Sequence, residues 1–320
     1  MNNFERVALN KLLSMPDFSV VVPVFNSSES LKELYGQIAG TFARIGKSFE
    51  VIFVDDASAD SSWQVITELQ KEFPEKIIGI KLARNFGQHN ATLCGLASSS
   101  SEYIITIDDD LQNSPSDIVK LIDRMKETDA DVVYGIFYKK HHSMVHNMGS
   151  ATLKGTSRRL FRTKGAGSSF RLIKASMVKN LLNHRIDFIY LDELFNWYTS
   201  DISFVMVDHN KRPYNQSNYT SRTLFSLLTN LVIYYTAIPL KLMVYGGITA
   251  SLISFFIGLV FIYRKIFQDV PLGFTAMIVA VLFSTSVILL SLGVLGEYLS
   301  RIYNVQNRKP PYSIKTVLRS

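Results

Sequence analysis

Cysteine is nearly absent. Cys94 is the only one in 320 residues, so no intrachain disulfide can form, and the chain suits a reducing compartment. Cys94 falls in an expected helix, where a small buried filler is its expected role. Phosphate-cradling glycine loops are also missing. The first apolar run leads into Pro23-Val24-Phe25-Asn26 rather than G-x-G-x-x-G, and no Walker A pattern occurs. This excludes a Rossmann dinucleotide site and a P-loop. A nucleotide diphosphate would have to be held by side chains and a cation. No secretory signal is expected, because Met1 to Phe18 carries Glu5, Arg6 and Lys11 and lacks a continuous apolar stretch. Acid is scarce in the back of the chain. Residues 209–320 hold 11 basic side chains but only 2 acidic ones, Asp269 and Glu297, a balance of +9; residues 1–208 balance at −2. Charge is missing altogether from 242–263 and from 270–296.

Those two uncharged runs are what the back of the chain has instead. The first, 22 residues long, would extend roughly 33 Å as a helix, enough to cross a bilayer. Two transmembrane helices are therefore expected, at about 242–263 and 273–296 within 241–300. Gly246-Gly247, Gly258, Gly293 and Gly296 would permit close helix contact, and self-association into a homo-oligomer is a weaker expectation. Upstream, Leu224, Leu227, Leu228, Leu231, Ile233 and Tyr234 mark an amphipathic juxtamembrane helix within 221–240. The flanks carry Lys211, Arg212, Arg222, Lys241, Arg301, Arg308, Lys309, Lys315 and Arg319, while the connecting turn carries only Arg264 and Lys265. The positive-inside rule then places 1–220 and a basic tail, 301–320, in the cytoplasm, with the chain multi-pass in the cytoplasmic (inner) membrane. The basic excess is grouped around apolar runs, so the expected partner is a lipid membrane and not nucleic acid.

The front of the chain alternates strand and helix. Apolar β-branched runs at Ser19–Pro23, Glu50–Val54, Ile77–Leu82, Tyr103–Ile107 and Val132–Gly135 read as strands. Between the first two, Leu31, Leu34, Tyr35, Ile38, Phe42 and Ile45 recur at helical spacing. Asn26 is the expected N-cap of that helix and Gly46 its end. Ser58 or Asp60 opens the next helix, and a short one runs from Asn90 to Ala97. Repeated strand–helix order predicts a mostly parallel α/β sheet covered on both faces. Right-handed crossovers bring every parallel strand's carboxyl end to one rim. Asp55, Asp56, Asp108 and Asp110 should therefore converge there.

The fourth strand ends in Asp108-Asp109-Asp110-Leu111-Gln112, followed by Ser114-Pro115-Ser116-Asp117 as a helix start. Open α/β sheets hold their ligands at such strand ends. Three adjacent carboxylates repel one another, and a divalent cation would relieve that; Asp108, Asp110 and Gln112 all offer oxygen ligands. A solvated acidic turn is the alternative.

Four motifs in order carry a family resemblance: Val22-Pro23-Val24-Phe25-Asn26, Val54-Asp55-Asp56-Ala57-Ser58-Ala59-Asp60, Arg84-Asn85-Phe86-Gly87-Gln88 and Asp108-Asp109-Asp110-Leu111-Gln112. Together they resemble family 2 glycosyltransferases, nearest to the branch that uses polyprenyl phosphates. The resemblance implies a GT-A fold, a UDP- or GDP-sugar donor, a Mg²⁺ or Mn²⁺ ion and inversion at the anomeric carbon. It implies that Asp56 contacts the nucleotide base, that Asp108 sits by the ribose and metal, and that Asp110 and Gln112 ligate the metal. Pro23, Phe25, Asn26, Asp55 and Asp109 would complete the donor site. Three positions depart from the pattern: Ser27 replaces a usual Glu, Ala57 a usual Gly, and Asp109 a usual Ala. The additional charge of Asp109 either points to solvent, the favoured expectation, or strengthens metal binding.

The middle of the chain is basic. Lys139, Lys140, His141, His142 and His146 lack the cysteines or acids of a zinc site and read as a basic loop. Lys154, Arg158, Arg159, Arg162 and Lys164 are either a solvated face or contacts to lipid headgroups. Ser168–Ile173 reads as a strand whose Arg171 needs a partner, either a phosphate oxygen or a structural carboxylate. Asp192-Glu193 contributes to an acceptor pocket or stabilises a helix N-terminus. Lys211–Tyr219 resembles the family's Arg…Gly-x-Ser-Lys-Tyr segment: Arg212, Ser217 and Tyr219 match, while Asn215 replaces Gly and Asn218 replaces Lys. Arg212 can grip phosphate in a bidentate way.

The expected activity is transfer of one sugar from a nucleotide diphosphate to an undecaprenyl or dolichyl phosphate, with Asp108, Asp110, Arg171 and Arg212 as the acting residues. The alternative is a membrane-anchored transferase with a different acceptor. A processive polysaccharide synthase is disfavoured, because neither Trp63 nor Trp197 follows an Arg. A scaffold without chemistry would have no use for the intact acidic cluster.

Overall fold

The computed structural model describes residues 15–137, 168–182, 190–208, 210, 238–268, 273–306 and 310–320. The chain divides into two compact units: Met1–Asn218 with Pro310–Ser320, and Tyr219–Lys309.

The first unit is a sheet flanked by helices. Its elements are β1 (Phe18–Val24), α1 (Leu31–Ile45), β2 (Phe49–Asp55), α2 (Ser62–Glu72), β3 (Ile77–Leu82), α3 (Gln88–Ser98), β4 (Tyr103–Thr106), a 3₁₀ turn (Pro115–Asp117), α4 (Ile118–Thr128) and β5 (Val132–Phe137). Then follow β6 (Arg171–Lys174), α5 (Ala175–Leu182), α6 (Leu191–Tyr198) and β7 (Ile202–Val207). The last strand, β8 (Ile314–Leu318), comes from the far end of the chain. The sheet order is β7-β5-β6-β4-β1-β2-β3-β8. The β1–β2, β1–β4, β2–β3 and β5–β7 pairs are parallel. Only β6 and β8 run against the rest, so the mostly parallel sheet expected from the strand–helix order is what forms.

Local chemistry explains the elements. Every residue of β1 and β2 is buried, as strands covered on both faces require. Helix α1 buries Leu31, Leu34, Tyr35, Ile38 and Phe42 along one stripe, each stabilising by roughly 1.5–3 kcal/mol relative to exposure. It stops where Gly46 adopts a left-handed φ of 62°, a conformation glycine adopts without a Cβ clash. Helix α3 presses closest to the sheet at Gly95, where an added Cβ would collide with Val21. Cys94 beside it is fully buried, and burial pushes its thiol up to about 12, which suits a core filler.

Two local expectations are corrected. Helix α1 starts at Leu31 behind Ser30, not behind Asn26. The Asn26 side chain instead accepts from the Ala59 amide at 2.8 Å, because its backbone sits at φ 53° and joins two rim loops. The tail, expected as a separate basic stretch, belongs to the sheet unit from Pro310 onward. The exposed edge of β3 offers unpaired backbone groups, and Ile314–Leu318 satisfies them antiparallel.

The second unit contains α7 (Ile238–Gln268) and α8 (Phe274–Gln306), of 31 and 33 residues. At the usual rise they extend about 47 and 50 Å, longer than the expected spans. Among the described residues one stretch, Phe283–Ser300, is long and apolar enough to cross a membrane. Of the two expected spans, the described residues thus bear out one such stretch, on α8.

Candidate active site

The carboxyl ends of β1, β2 and β4 lie side by side, since β1 pairs with both neighbours in parallel. Three turns leave this rim, and each contains a non-glycine residue at positive φ: Asn26 at 53°, Ala57 at 57° and Leu111 at 59°. Such strain costs on the order of 1–3 kcal/mol each and gathers at functional sites. It also explains why glycine is usual at the position Ala57 occupies.

The acids are tied into the turns around them. Asp56 is 2 % exposed, and its amide donates to the Val24 carbonyl at 2.9 Å. Its two carboxylate oxygens accept from the Phe86 amide at 2.7 Å and the Gly87 amide at 2.8 Å. Burial raises its pKa, while those two amides and the like charge of Asp55 act as smaller influences. Asp55 is fully buried; Oδ1 accepts from the Ser58 amide at 3.1 Å, and Oδ2 lies 3.9 Å from Lys81 Nζ.

Asp108 is held from both sides. The Gln88 amide donates to Oδ1 at 2.6 Å, and the Ser169 hydroxyl donates to Oδ2 at 2.5 Å. Gly87 and Gln88 are consecutive, so one short loop engages Asp56 through its backbone and Asp108 through its side chain. Asp110 Oδ1 accepts from the Gln112 amide at 3.0 Å. Asp109 does not point to solvent, contrary to expectation. It turns toward β1, where Oδ2 accepts from the Phe25 amide at 3.1 Å, and its carbonyl accepts from the Ser30 hydroxyl. Burial, with Asp108 and Asp110 adding like charge, pushes its carboxyl up to about 7, while hydrogen bonds from Ser27 and Phe25 pull the other way. Ser27, standing where a Glu is usual, thus serves the acid that stands where an Ala is usual.

Asp108, Asp110 and Gln112 offer hard oxygen donors, the type that Mg²⁺ or Mn²⁺ takes. Among the described residues no group of three or more His, Cys, Asp or Glu side chains is arranged to hold a metal alone. Such a set would leave an ion's remaining positions to phosphate oxygens and water, as Mg²⁺ is commonly held.

Of the two partners expected for Arg171, a phosphate oxygen or a structural carboxylate, the fold supplies the second. Arg171 is 3 % exposed, and its guanidinium pairs with Asp192 at 2.7 Å. The Tyr134 and Phe195 rings flank it, each 5.7 Å away, and the Tyr134 hydroxyl donates to Asp192 at 3.1 Å. Burial is the largest single influence and disfavours its charge, but Asp192, Tyr134, Asp108 and Tyr190 together raise its pKa. The structural carboxylate is thus the partner, because Asp192 and Glu193 enter in the buried first turn of α6. His89, next to Gln88, meets the Tyr190 ring edge-on at 4.9 Å. Burial pushes it down to about 4, with Asp192 opposing and Arg171 reinforcing; it is neutral at pH 7. Arg212, Lys139, Lys140 and the Lys211–Tyr219 segment lie outside the described residues.

The roles of Gln88 and Ser169 were not legible from the sequence alone. The signal for Gln88 is its place at the end of Arg84–Gln88, and for Ser169 its place before Arg171, where the family resemblance has Asp in many members.

Acids gathered on the carboxyl rim of a mostly parallel sheet stand where open α/β folds place their ligands. The pattern described as Glycosyl transferase family 2 matches residues 19–185, and the chain belongs to that family. Relatives extend over nearly its whole length. The undecaprenyl-phosphate 4-deoxy-4-formamido-L-arabinose transferase of Klebsiella pneumoniae (strain 342) is 31% identical over 310 residues, 94% of this chain and 93% of that one. The enzyme of the same name from Edwardsiella ictaluri (strain 93-146) is 30% identical over 315 residues, 94% of each. Among solved structures, glucosyl-3-phosphoglycerate synthase from Mycobacterium tuberculosis, in complex with Mn²⁺, UDP and glucosyl-3-phosphoglycerate, superimposes with a TM-score of 0.50. That match has 14% identity and covers 68% of this chain and 78% of that one, and it bears on the fold alone. The chain is a glycosyltransferase of the GT-A type.

Proposed function

We propose that this enzyme transfers one sugar, with inversion, from a UDP- or GDP-sugar to a polyprenyl phosphate at the cytoplasmic face of the inner membrane. The observation that carries this reading is the meeting of Asp56, Asp108 and Asp110 on one rim, in a chain that aligns end to end with undecaprenyl-phosphate sugar transferases.

The acceptor's chemistry suits such a site. A phosphate monoester is already mostly ionised at pH 7, so attack on the anomeric carbon needs little help from a general base. The heavier tasks are holding two anions together and stabilising the leaving diphosphate. A Mg²⁺ or Mn²⁺ ion, when bound, supplies positive charge to that leaving group. The chain's residues do the rest. Asp110 and Gln112 are the proposed ion holders. Gln88 and Ser169 fix the orientation of Asp108 toward ribose and ion, and Asp56 braces the Arg84–Gly87 loop against the base. Pro23, Phe25, Asn26, Asp55 and Asp109 shape the wall around them. Arg212 is the proposed grip on the acceptor phosphate, since a guanidinium matches phosphate in a bidentate way.

Connectivity supports two crossings. The chain leaves the sheet after β7 and re-enters it at β8, so any membrane crossings between them must be even in number. Helices α7 and α8 are the proposed pair, anchoring the enzyme beside its lipid substrate.

The test is incubation of the purified enzyme with a panel of nucleotide sugars, undecaprenyl phosphate and Mn²⁺, followed by lipid extraction and mass spectrometry. A glycosylated phospholipid is expected from one donor, and none in excess chelator. Sugar appearing only on a water-soluble or protein acceptor would overturn the reading.

A further inference from the structure

The C-terminal strand does more than close the sheet edge. It returns to the chain at both flanks of the loop that engages Asp56 and Asp108. On one flank, the Ala83 amide donates to the Ser313 carbonyl at 2.8 Å, immediately before Arg84. On the other, half-buried Tyr312 lies near Cys94 on α3, the helix that begins at Gln88, immediately after the loop. Burial raises the pKa of this phenol, as expected of a ring packed inward. Further along, Leu318 lies over Gly79, where an added Cβ would approach its side chain to 3.4 Å. The pairing of β8 with β3 shifts register between Lys81 and Leu82, the last turn of chain before the loop.

Between Ala83, bonded to Ser313, and α3, where Cys94 acts on Tyr312, stand Phe86 and Gly87, whose amides hold Asp56, and then Gln88, whose side chain holds Asp108. A loop of this length has little stiffness of its own, and its geometry follows that of its ends. We propose that Tyr312–Leu318 is a positioning element of the donor site, setting the Arg84–Gly87 loop from both flanks so that Asp56 and Asp108 face the nucleotide. The inference rests on the donor site proposed above. It also makes donor affinity depend on a segment that follows the apolar helices in the chain, so the two ends of the sequence act on one site.

The experiment uses the full-length enzyme. Binding of UDP and of GDP is titrated in Mn²⁺, steady-state constants are measured for donor and acceptor, and amide hydrogen exchange is followed at Phe86 and Gly87. In Tyr312→Ala, nucleotide Kd and donor KM rise roughly fivefold or more, with acceptor KM and kcat nearly unchanged, and both amides exchange faster. Tyr312→Phe restores wild-type behaviour, because ring packing and not the hydroxyl sets the loop. Leu318→Ala gives a smaller change of the same kind and serves if Tyr312→Ala does not fold. Unchanged exchange at Phe86 and Gly87 in the folded variants overturns the proposal. If the wild-type enzyme binds neither nucleotide, the donor-site reading fails instead, while the exchange comparison still decides whether the tail sets the loop.

Discussion

Leu31 and Leu290 carry the same side chain in opposite surroundings. Leu31, on α1, is 0 % exposed, while Leu290, on α8, is 71 % exposed. The contrast extends across both units. In the sheet unit, apolar side chains fill the interior, and the buried charges have partners of their own. In the helical unit, Leu242, Phe256, Phe267 and Leu290 all project outward. Scattered exposed leucines are ordinary, but helices clad in them call for a covering surface. With α7 and α8 in the bilayer as proposed, the two units would obey one rule, apolar against apolar, under two different solvents. Polar groups follow the same logic: in the sheet unit the rim acids are hydrogen-bonded, while in the uncharged runs of the helices hydroxyls such as Thr249 and Ser284 donate to the carbonyls of Tyr245 and Ala280 one turn back.

Substitutions in each unit should therefore fail differently. The largest effect is expected from Asp110→Ala, which removes an ion holder on the rim. Transfer should fall by a factor on the order of 10²–10³ or more, while thermal unfolding and membrane sedimentation stay as in wild type. Activity that persists in this variant would detach the rim from the chemistry. Next comes Arg171→Met, which leaves Asp192 buried without its cation and should destabilise the sheet unit by about 3–5 kcal/mol. Arg171→Met combined with Asp192→Leu should recover most of that loss in chemical denaturation. A stable single variant with only a raised acceptor KM would instead restore Arg171 to a phosphate-binding role.

In the helical unit, Leu290→Arg should cost about 3 kcal/mol of membrane insertion. The readout is the fraction of protein that stays with carbonate-washed membranes, with nucleotide binding by the sheet unit preserved. Equal retention would remove the bilayer from the explanation of the exposed leucines.

A subtler contrast lies in pH. Asp109 has its folded pKa raised to about 7 from an ordinary 3.8. A carboxyl raised on folding contributes stability that is present below pH 3.8 and is lost as pH rises through 7. His89 has the opposite sign. Its folded pKa is near 4 against an ordinary 6.5, so its contribution is present above pH 6.5 and is lost as pH falls toward 4. Asp109→Asn should flatten the loss of thermal stability between pH 5 and 7.5 without touching the acid limb. An unaltered slope would mean that the Phe25 amide does not hold the carboxyl at the rim. The smallest effect belongs to Ala57→Gly, which should raise stability by roughly 1 kcal/mol by relieving the left-handed backbone. A loss of stability would show that φ 57° is not strained there.

Much of the sheet unit was legible beforehand. Ile77–Leu82 forms the strand its apolar run predicts, and the helix over Leu31–Ile45 ends at Gly46 as its terminator requires. The gathering of Asp56, Asp108 and Asp110 followed from strand order and crossover handedness, because a parallel sheet leaves no other rim for residues that end its strands. The misreadings have a common cause. An N-cap at Asn26 is a local expectation, yet its side chain answers to Ala59 across the rim. A solvent-facing Asp109 follows from the preference of charge for water, yet the Phe25 amide lies within reach. The tail reads as a basic stretch, because nothing near it in sequence advertises the open edge of β3.

By itself, then, the sequence determined the periodicities, the turns that end them, the uncharged runs and the family to which the four motifs belong. These properties depend on residues a few positions apart, where backbone sterics and side-chain spacing suffice. Tertiary structure alone decided that Arg171 answers to Asp192, that Gln88 and Ser169 clasp Asp108, and that the last strand returns to brace the loop beside Asp56. Each of these joins segments far apart in the chain, and only the packed sheet fixes which buried donor finds which acceptor.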